Sequence, residues 1–392
     1  MLEEVFIALF NVSLFIFAAE LVNSALSKYS IPALVGEILI GIVIGPFALG
    51  YVLNTVLGFH LINIDGYVKF LAEFSVILVI FSAGLEHGIA PIRSSGVSGF
   101  LGATFGALLP FTAAYYIYSP TLGHGEALFL GVAMGATSLA AVAAIIEEER
   151  LKGKSINFLV SAAAVDDVVD LLLLSTVIAL LENSSASLST LAVNTIGVIV
   201  LWAVILGVSI TVVPRVTNRV NERYIVQFSF LVLFGYVLLM VSLGYSSIIS
   251  AFVAGVALAA SSKSPKIREM SRTLLSLFGP IFFIVTGAEV NLLIFNFKTF
   301  LLSLELTGVA SLFKWLGVFP FAMLNLRSLK KANTVAIGMI PRGETGLVIA
   351  SIGLAGGYLG QDVFEAIVFM ALFTTLIWSI IFKVLATKTI VG

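Results

Sequence analysis

A helix needs about 20 mainly apolar residues to cross the hydrocarbon core of a bilayer, and this chain supplies such stretches one after another with short polar breaks between them. About thirteen segments fall near 4–26, 31–50, 68–86, 97–118, 124–147, 155–182, 188–213, 224–242, 246–262, 271–296, 299–325, 331–358 and 363–387. The pattern predicts an all-α integral membrane protein with about 13 transmembrane helices. Two segments carry interruptions. The fifth reads Gly131-Val132-Ala133-Met134-Gly135-Ala136-Thr137-Ser138-Leu139, with small residues and two hydroxyls in mid-span. The twelfth reads Gly338-Met339-Ile340-Pro341-Arg342-Gly343-Glu344-Thr345-Gly346, where Pro341 removes a backbone donor and the glycines loosen the turn. Both are expected to be broken helices.

The two halves of the chain also resemble each other. Phe81-Ser82-Ala83-Gly84-Leu85-Glu86 closes segment 3, and Ile284-Val285-Thr286-Gly287-Ala288-Glu289 lies in segment 10; segments 2 and 9 are both short and rich in Gly or Ala. Segments 1–6 then repeat as 8–13 with segment 7 between them. The offset of seven is odd, so the second repeat enters from the opposite side, an inverted repeat of the kind common in secondary transporters. In that architecture the breaks of segments 5 and 12 cross, presenting helix ends and free carbonyls near the bilayer midplane.

The polar positions that violate the apolar pattern are few and costly. Segment 6 contains Asp166, Asp167 and Asp170 within an otherwise apolar run. Each costs roughly 2.5–3.5 kcal/mol at the centre of a membrane helix on insertion scales. At 100° per residue Asp166 and Asp167 splay to adjacent faces, with Asp170 one turn below both, so the three form an acidic patch that must face protein or water. That patch is the expected cation and proton site, against the alternative of a structural polar network. Asp170 either joins the site or lines its approach. Thr137 and Ser138 are candidate oxygen ligands for a hard cation, although such hydroxyls more often bond to backbone.

Composition and charge narrow the picture. The chain has 392 residues, 59% hydrophobic and 11% charged, with a mean hydropathy of +1.12 and a net charge of −1. A soluble domain carries about 25% charged residues, and the near-neutral balance argues against a nucleic-acid partner. With no cysteine, disulfides and thiol catalysis are excluded. The acidic start Met1-Leu2-Glu3-Glu4 predicts a retained first helix instead of a cleaved signal. With the N-terminus outside, the inside loops hold Lys28, Arg93, Arg150, Lys152, Lys154, Arg215, Arg219, Arg223, Lys263, Lys266, Arg268, Arg272, Arg327, Lys330, Lys331, Lys383 and Lys388, whereas the outside loops hold only Lys69 and Lys298. That asymmetry sets N-terminus out and C-terminus cytoplasmic, in a multi-pass protein of the cytoplasmic membrane.

Of the 21 basic residues, only Lys314 and Arg342 then remain, and both lie within hydrophobic segments. Lys314 is too deep to snorkel and is expected to pair with one of the aspartates. Arg342 and Glu344 either serve the site or neutralise the helix crossing. Glu86 and Glu289 read as structural, and Glu37 as a residue that either lines a pathway or packs. Glu20 and Glu73 are also embedded or near helix ends. His60, His87 and His124 lie in or beside loops, which argues against a resident metal site.

With these residues in view, a family resemblance follows. Ile31-Pro32-Ala33-Leu34-Val35-Gly36-Glu37-Ile38-Leu39-Ile40-Gly41 with Gly45-Pro46, then Phe81 to Glu86, the Asp166-Asp167 pair, Phe282-Phe283-Ile284-Val285-Thr286-Gly287 and Pro341-Arg342-Gly343-Glu344 together resemble the second monovalent cation:proton antiporter family, in its sodium/proton branch of the NapA type. The resemblance runs in register along essentially the whole chain. It implies the NhaA/NapA-like antiporter fold, homodimers, and a core domain that moves against a dimerisation domain. On this chain the dimerisation domain would take 1–96 and 223–298, the core 97–186 and 299–392, and a linker helix 187–222. It implies further that Asp167 is the main cation- and proton-binding carboxylate, Asp166 the preceding acid and Lys314 its salt-bridge partner. Thr137 and Ser138 would be the unwound segment, with Arg342 and Glu344 its crossing partner.

The paired acids suggest the electrogenic branch, since electroneutral relatives usually have Asn at the Asp166 position. Two protons per Na⁺ is likewise an implication of the resemblance. The potassium-efflux relatives typically carry Gln at the Asp166 position and a large cytoplasmic nucleotide-binding domain, and neither is read in this sequence. Asp170 departs from the family pattern, where a small or apolar residue is commoner, and this leaves ion selectivity open.

The expectation is thus a transporter and not an enzyme. It exchanges Na⁺ or Li⁺ for H⁺ by elevator-like alternating access, with the transported Na⁺ on Asp167 and Asp166. Its partners are the lipid bilayer, a monovalent cation, the proton and a second copy of the chain, and it takes no cofactor. The rival readings are a K⁺/H⁺ antiporter, a sodium-coupled solute symporter and a non-transporting membrane sensor.

Overall fold

The computed structural model describes residues 2–29, 31–88, 96–182, 188–243 and 246–389; Arg93 and the side chain of His87 lie outside the described residues. Among the described residues every regular element is a helix, with no strand. In chain order the helices are α1 (Leu2–Leu26), α2 (Ala33–Ile44), α3 (Leu49–Leu57), α4 (Gly66–His87), α5 (Gly96–Leu122), α6 (His124–Gly135), α7 (Leu139–Glu148) and α8 (Lys154–Glu182). They continue as α9 (Leu188–Arg219), α10 (Ile225–Ser242), α11 (Ser247–Ala259), α12 (Ser264–Ala288), α13 (Phe297–Leu326), α14 (Leu329–Gly338), α15 (Glu344–Ala355) and α16 (Gln361–Thr389).

Among the described residues nine spans are long and apolar enough to cross a membrane. Helix α8 has comparable length but carries the three aspartates. Segments 5 and 12 are each divided, into α6 and α7 and into α14 and α15. Segment 2 is divided as well, because Gly45-Pro46 stops α2 before α3 begins. The helix of segment 10 starts at Ser264 instead of 271; its first turns are polar, with Lys266, Arg268 and Glu269, so hydropathy alone placed its start too late.

The chain separates into two compact units. One contains Met1–Glu73, Ser94–Asp170 and Pro280–Gly392, and every candidate site residue falls within it. Here α13 is fixed at its start by Asn296, whose side chain accepts from the N–H groups of Lys298 and Thr299 at 2.9 and 3.1 Å. Farther along, α13 lies backbone against backbone on α5, where a Cβ at Gly317 would strike the Phe105 carbonyl. On α5, Gly106 faces the aliphatic stem of Lys314, its would-be Cβ lying 3.5 Å from Cδ and Cε. The small residues of segment 4 thus bring Lys314 into the interior.

In the same unit α2 crosses the end of α12 with equal intimacy. Gly41 meets the carbonyl of Ile284, and Gly287 meets the carbonyl of Ile38. The other unit, Phe74–Arg93 and Leu171–Gly279, repeats this arrangement: Gly84 on α4 meets the carbonyl of Phe252, and Gly255 on α11 meets that of Phe81. Gly84 and Gly287 are the matching glycines of the two similar motifs read from the sequence. Close helix packing through small residues is a main source of cohesion in lipid, where no hydrophobic force separates helix from tail. Gly287→Ala should therefore force the pair apart and destabilise the protein by ~1–3 kcal/mol. Thermal unfolding in detergent measures this, and an unchanged midpoint would contradict it.

Candidate functional site: two crossed helix breaks beside three buried aspartates

Helix α6 ends at Gly135, after which Ala136 and Ser138 are extended (ψ 147° and 102°) before α7 begins. Ser138 caps α7, its side chain accepting from Ala141 N at 3.4 Å. The second break runs from Met339 to Gly343, where Pro341 cannot continue the N–H ladder and disfavours helical geometry in the residue before it. The breaks cross in contact. Ser138 N donates to the Pro341 carbonyl at 2.7 Å, and Thr137 Oγ1 donates to the Met339 carbonyl at 3.0 Å. Gly343 has no room for a Cβ, which would fall on the Ser138 side chain. Glu344, the first residue of α15, accepts from Ser138 Oγ at 2.8 Å.

The three aspartates of α8 face this crossing from within the protein. Asp166 and Asp170 are 0% exposed and Asp167 is 8% exposed. Lys314, itself 0% exposed, places Nζ at 2.6 and 2.7 Å from the two Asp166 oxygens and 2.6 Å from the Gly135 carbonyl. One ammonium thus answers a buried carboxylate and the C-terminal end of α6 together. Arg342 does similar work on backbone. Its Nη1 donates to Ala136 O at 2.8 Å and Met339 O at 3.5 Å, and its Nη2 to Ala310 O at 3.0 Å. Its own backbone is held by two hydroxyls of α16: Thr374 accepts from Arg342 N at 3.2 Å, and Thr375 donates to Arg342 O. The fully buried guanidinium therefore sits where the carbonyls freed by both breaks converge.

Asp167 is treated differently. Its Oδ1 accepts a hydrogen bond from Thr345 Oγ1 at 3.1 Å, in the first turn of α15, where the helix dipole favours negative charge. Thr345 is a candidate site residue that the sequence reading passed over, although it stood inside the quoted break as a hydroxyl beside Glu344. Asp170 has neither carboxylate oxygen hydrogen-bonded. It packs against the end of α6, where a Cβ on Gly135 would lie 2.8 Å from Asp170 Oδ1.

The other acids lie apart from this cluster. Glu86 pairs with Arg272 at 3.0 Å and Arg268 at 3.8 Å. Glu37 is buried on α2 and accepts from Asn23 Nδ2 at 3.2 Å. Glu20 and Glu73 are exposed. Gln361 Nε2 donates to the backbone carbonyl of Glu289 at 2.7 Å, and His124 is hydrogen-bonded to Tyr115 at 3.0 Å. Chemically, the crossing offers one carboxylate held by a single hydroxyl, next to a compensated Asp–Lys pair, with carbonyl and hydroxyl oxygens from two opened helices nearby. Oxygen-rich sites of this type suit a hard cation, and an uncharged carboxylic acid fits the same space.

Comparison with known proteins bears on this arrangement. A family profile described as "Sodium/hydrogen exchanger, transmembrane" matches residues 12–388. The Na(+)/H(+)-K(+) antiporter GerN of Bacillus cereus is 29% identical, with 94% of this chain and 93% of that protein covered. An Na(+)/H(+) antiporter of Enterococcus hirae is 28% identical, over 95% of this chain and 97% of its own length. Among solved structures, the sodium proton antiporter MjNhaP1 from Methanocaldococcus jannaschii superposes with a TM-score of 0.74 at 19% identity, covering 99% of this chain and 100% of that one. The chain therefore has the MjNhaP1 fold.

Proposed function

This chain belongs to the sodium/hydrogen exchanger family, and on that footing we propose that it exchanges Na⁺ or Li⁺ for H⁺ across the membrane, electrogenically, with Asp167 as the shared site. The observation that carries the reading is Asp167 itself: a buried carboxylate with one hydroxyl partner, Thr345, beside a carboxylate already neutralised by Lys314. Na⁺ binds the ionised Asp167, with oxygens of Thr345 and of the Thr137–Ser138 break as further ligands, and a proton replaces it in the return half-cycle. Arrival of Na⁺ beside Asp166 weakens the Asp166–Lys314 pair, so cation binding is felt by the group that compensates the site.

An ionised, empty site pays the full desolvation cost of an unpaired charge when it is closed off from water. A site carrying either Na⁺ or a proton on Asp167 does not. That difference couples the two fluxes and suppresses a leak. The alternating exposure is elevator-like, carried by residues 97–186 and 299–392, which include every residue named in the site. Two similar glycine crossings, one at Gly41 and Gly287 and one at Gly84 and Gly255, support an inverted repeat as the basis of the cycle. The protein acts as a homodimer in the cytoplasmic membrane with its C-terminus inside.

Exchange of K⁺ is the second reading, favoured by the K(+) in the name of the Bacillus cereus relative. Purified protein in liposomes with an internal pH dye and an imposed proton gradient separates the two. Dequenching on addition of Na⁺ or Li⁺, and not of K⁺ or choline, is the expected outcome. An equal response to K⁺ would overturn the selectivity, and no response to any cation from folded protein would overturn antiport.

A further inference from the structure

Asp170 has no part in the exchange just described, yet it is a fully buried acid of the same cluster. It is 0% exposed and neither of its oxygens has a hydrogen-bond partner, whereas Asp166 has Lys314 and Asp167 has Thr345. An ionised carboxylate buried without a donor or a paired cation costs several kcal/mol, and the uncharged acid is the form that such a place accommodates.

We propose that Asp170 carries the second proton of the exchange, at a site separate from the one where Na⁺ and H⁺ compete. This deepens the antiport reading and rests on it. In the proton-loaded form Asp167 and Asp170 are both uncharged acids. Na⁺ displaces the proton of Asp167, and the proton of Asp170 passes to water on the side from which Na⁺ entered, leaving a carboxylate beside Lys314. Two protons then move against one Na⁺, and one net charge crosses per cycle.

The geometry says why the two events are linked. Asp170 packs on Gly135, the residue whose carbonyl binds Lys314, so whatever pulls that ammonium from Asp166 alters the surroundings of Asp170 at the same moment. Among the described residues, the charged and titratable groups around it are Asp166 and Asp167 on its own helix, Lys314 on α13 and Arg342 at the second break. Gly135 of α6 brings none.

The test compares wild type with Asp170→Asn and Asp170→Glu in proteoliposomes, under fixed Na⁺ and pH gradients, with a valinomycin-set K⁺ diffusion potential applied or clamped to zero. Wild-type exchange should speed up or slow down with the sign of the potential. Asp170→Asn should still exchange Na⁺ for H⁺ with one proton fewer per Na⁺, so its rate no longer responds to the potential. If Asp170→Asn remains as potential-sensitive as wild type, the inference falls. If Asp170→Asn is inactive, potential-sensitive exchange in Asp170→Glu sustains the inference, and an inactive Asp170→Glu overturns it. A wild type that exchanges without responding to potential also overturns it. A wild type with no Na⁺-driven proton movement removes the antiport reading instead.

Discussion

Asp167→Asn is expected to abolish Na⁺-driven proton movement while leaving a protein that folds and purifies as the wild type does. The substitution keeps the shape and keeps an acceptor oxygen for Thr345 Oγ1, which now donates at 3.1 Å. Loss or weakening of one such hydrogen bond is worth about 1 kcal/mol, small against the stability of a membrane bundle. What disappears is the charge. An amide neither offsets the cost of stripping water from Na⁺ nor takes up a proton in its place, so both half-cycles fail together. A pH-dye assay on reconstituted protein reads the transport, and unfolding in detergent reads the fold. Retained Na⁺-dependent dequenching in Asp167→Asn would remove Asp167 from the role assigned to it.

The second large effect is on stability. Lys314→Met should destabilise the protein by ~3–5 kcal/mol, because it strands Asp166 as a buried, uncompensated carboxylate and leaves the Gly135 carbonyl without its donor. The methionine stem still fits over Gly106, so packing is not the cause. The control is the double variant Lys314→Met with Asp166→Asn. If the loss comes from the stranded charge, removing that charge restores most of the stability, a coupling that a double-mutant cycle measures directly. Equal instability of the single and double variants would show that Lys314 acts through packing instead.

How much of this could be read from the sequence depends on the type of signal. The spans were legible because a bilayer demands long apolar runs, and the breaks of segments 5 and 12 were legible because the small residues around Gly135 and Pro341 interrupt theirs, whereas the break of segment 2 at Gly45-Pro46 was not expected. Lys314 and Arg342 stood out by subtraction, as the basic residues that no loop could take. Partnerships were harder. That Lys314 serves Asp166 and the Gly135 carbonyl at once, and that Arg342 spends its guanidinium on Ala136, Ala310 and Met339, depends on how the breaks cross. Sequence spacing does not encode that. Thr345 was overlooked for the same reason, since only the crossing brings the first turn of α15 to Asp167. The start of α12 was misplaced because its first turns are polar and hydropathy follows the membrane instead of the helix. Asp170 was recognisable as an oddity, but its lack of any partner is a three-dimensional fact.

The central claim is that Na⁺ and H⁺ compete for one carboxylate, and the pH dependence of the apparent KM for Na⁺ tests it most directly. A ligand that must be deprotonated loses cation affinity as protons fill it. Competition predicts that the KM rises as pH falls, by at least roughly tenfold per pH unit once the site is mostly protonated, while saturating Na⁺ restores the maximal rate. A KM that stays constant across the same range, with only the maximal rate changing, would contradict a shared site.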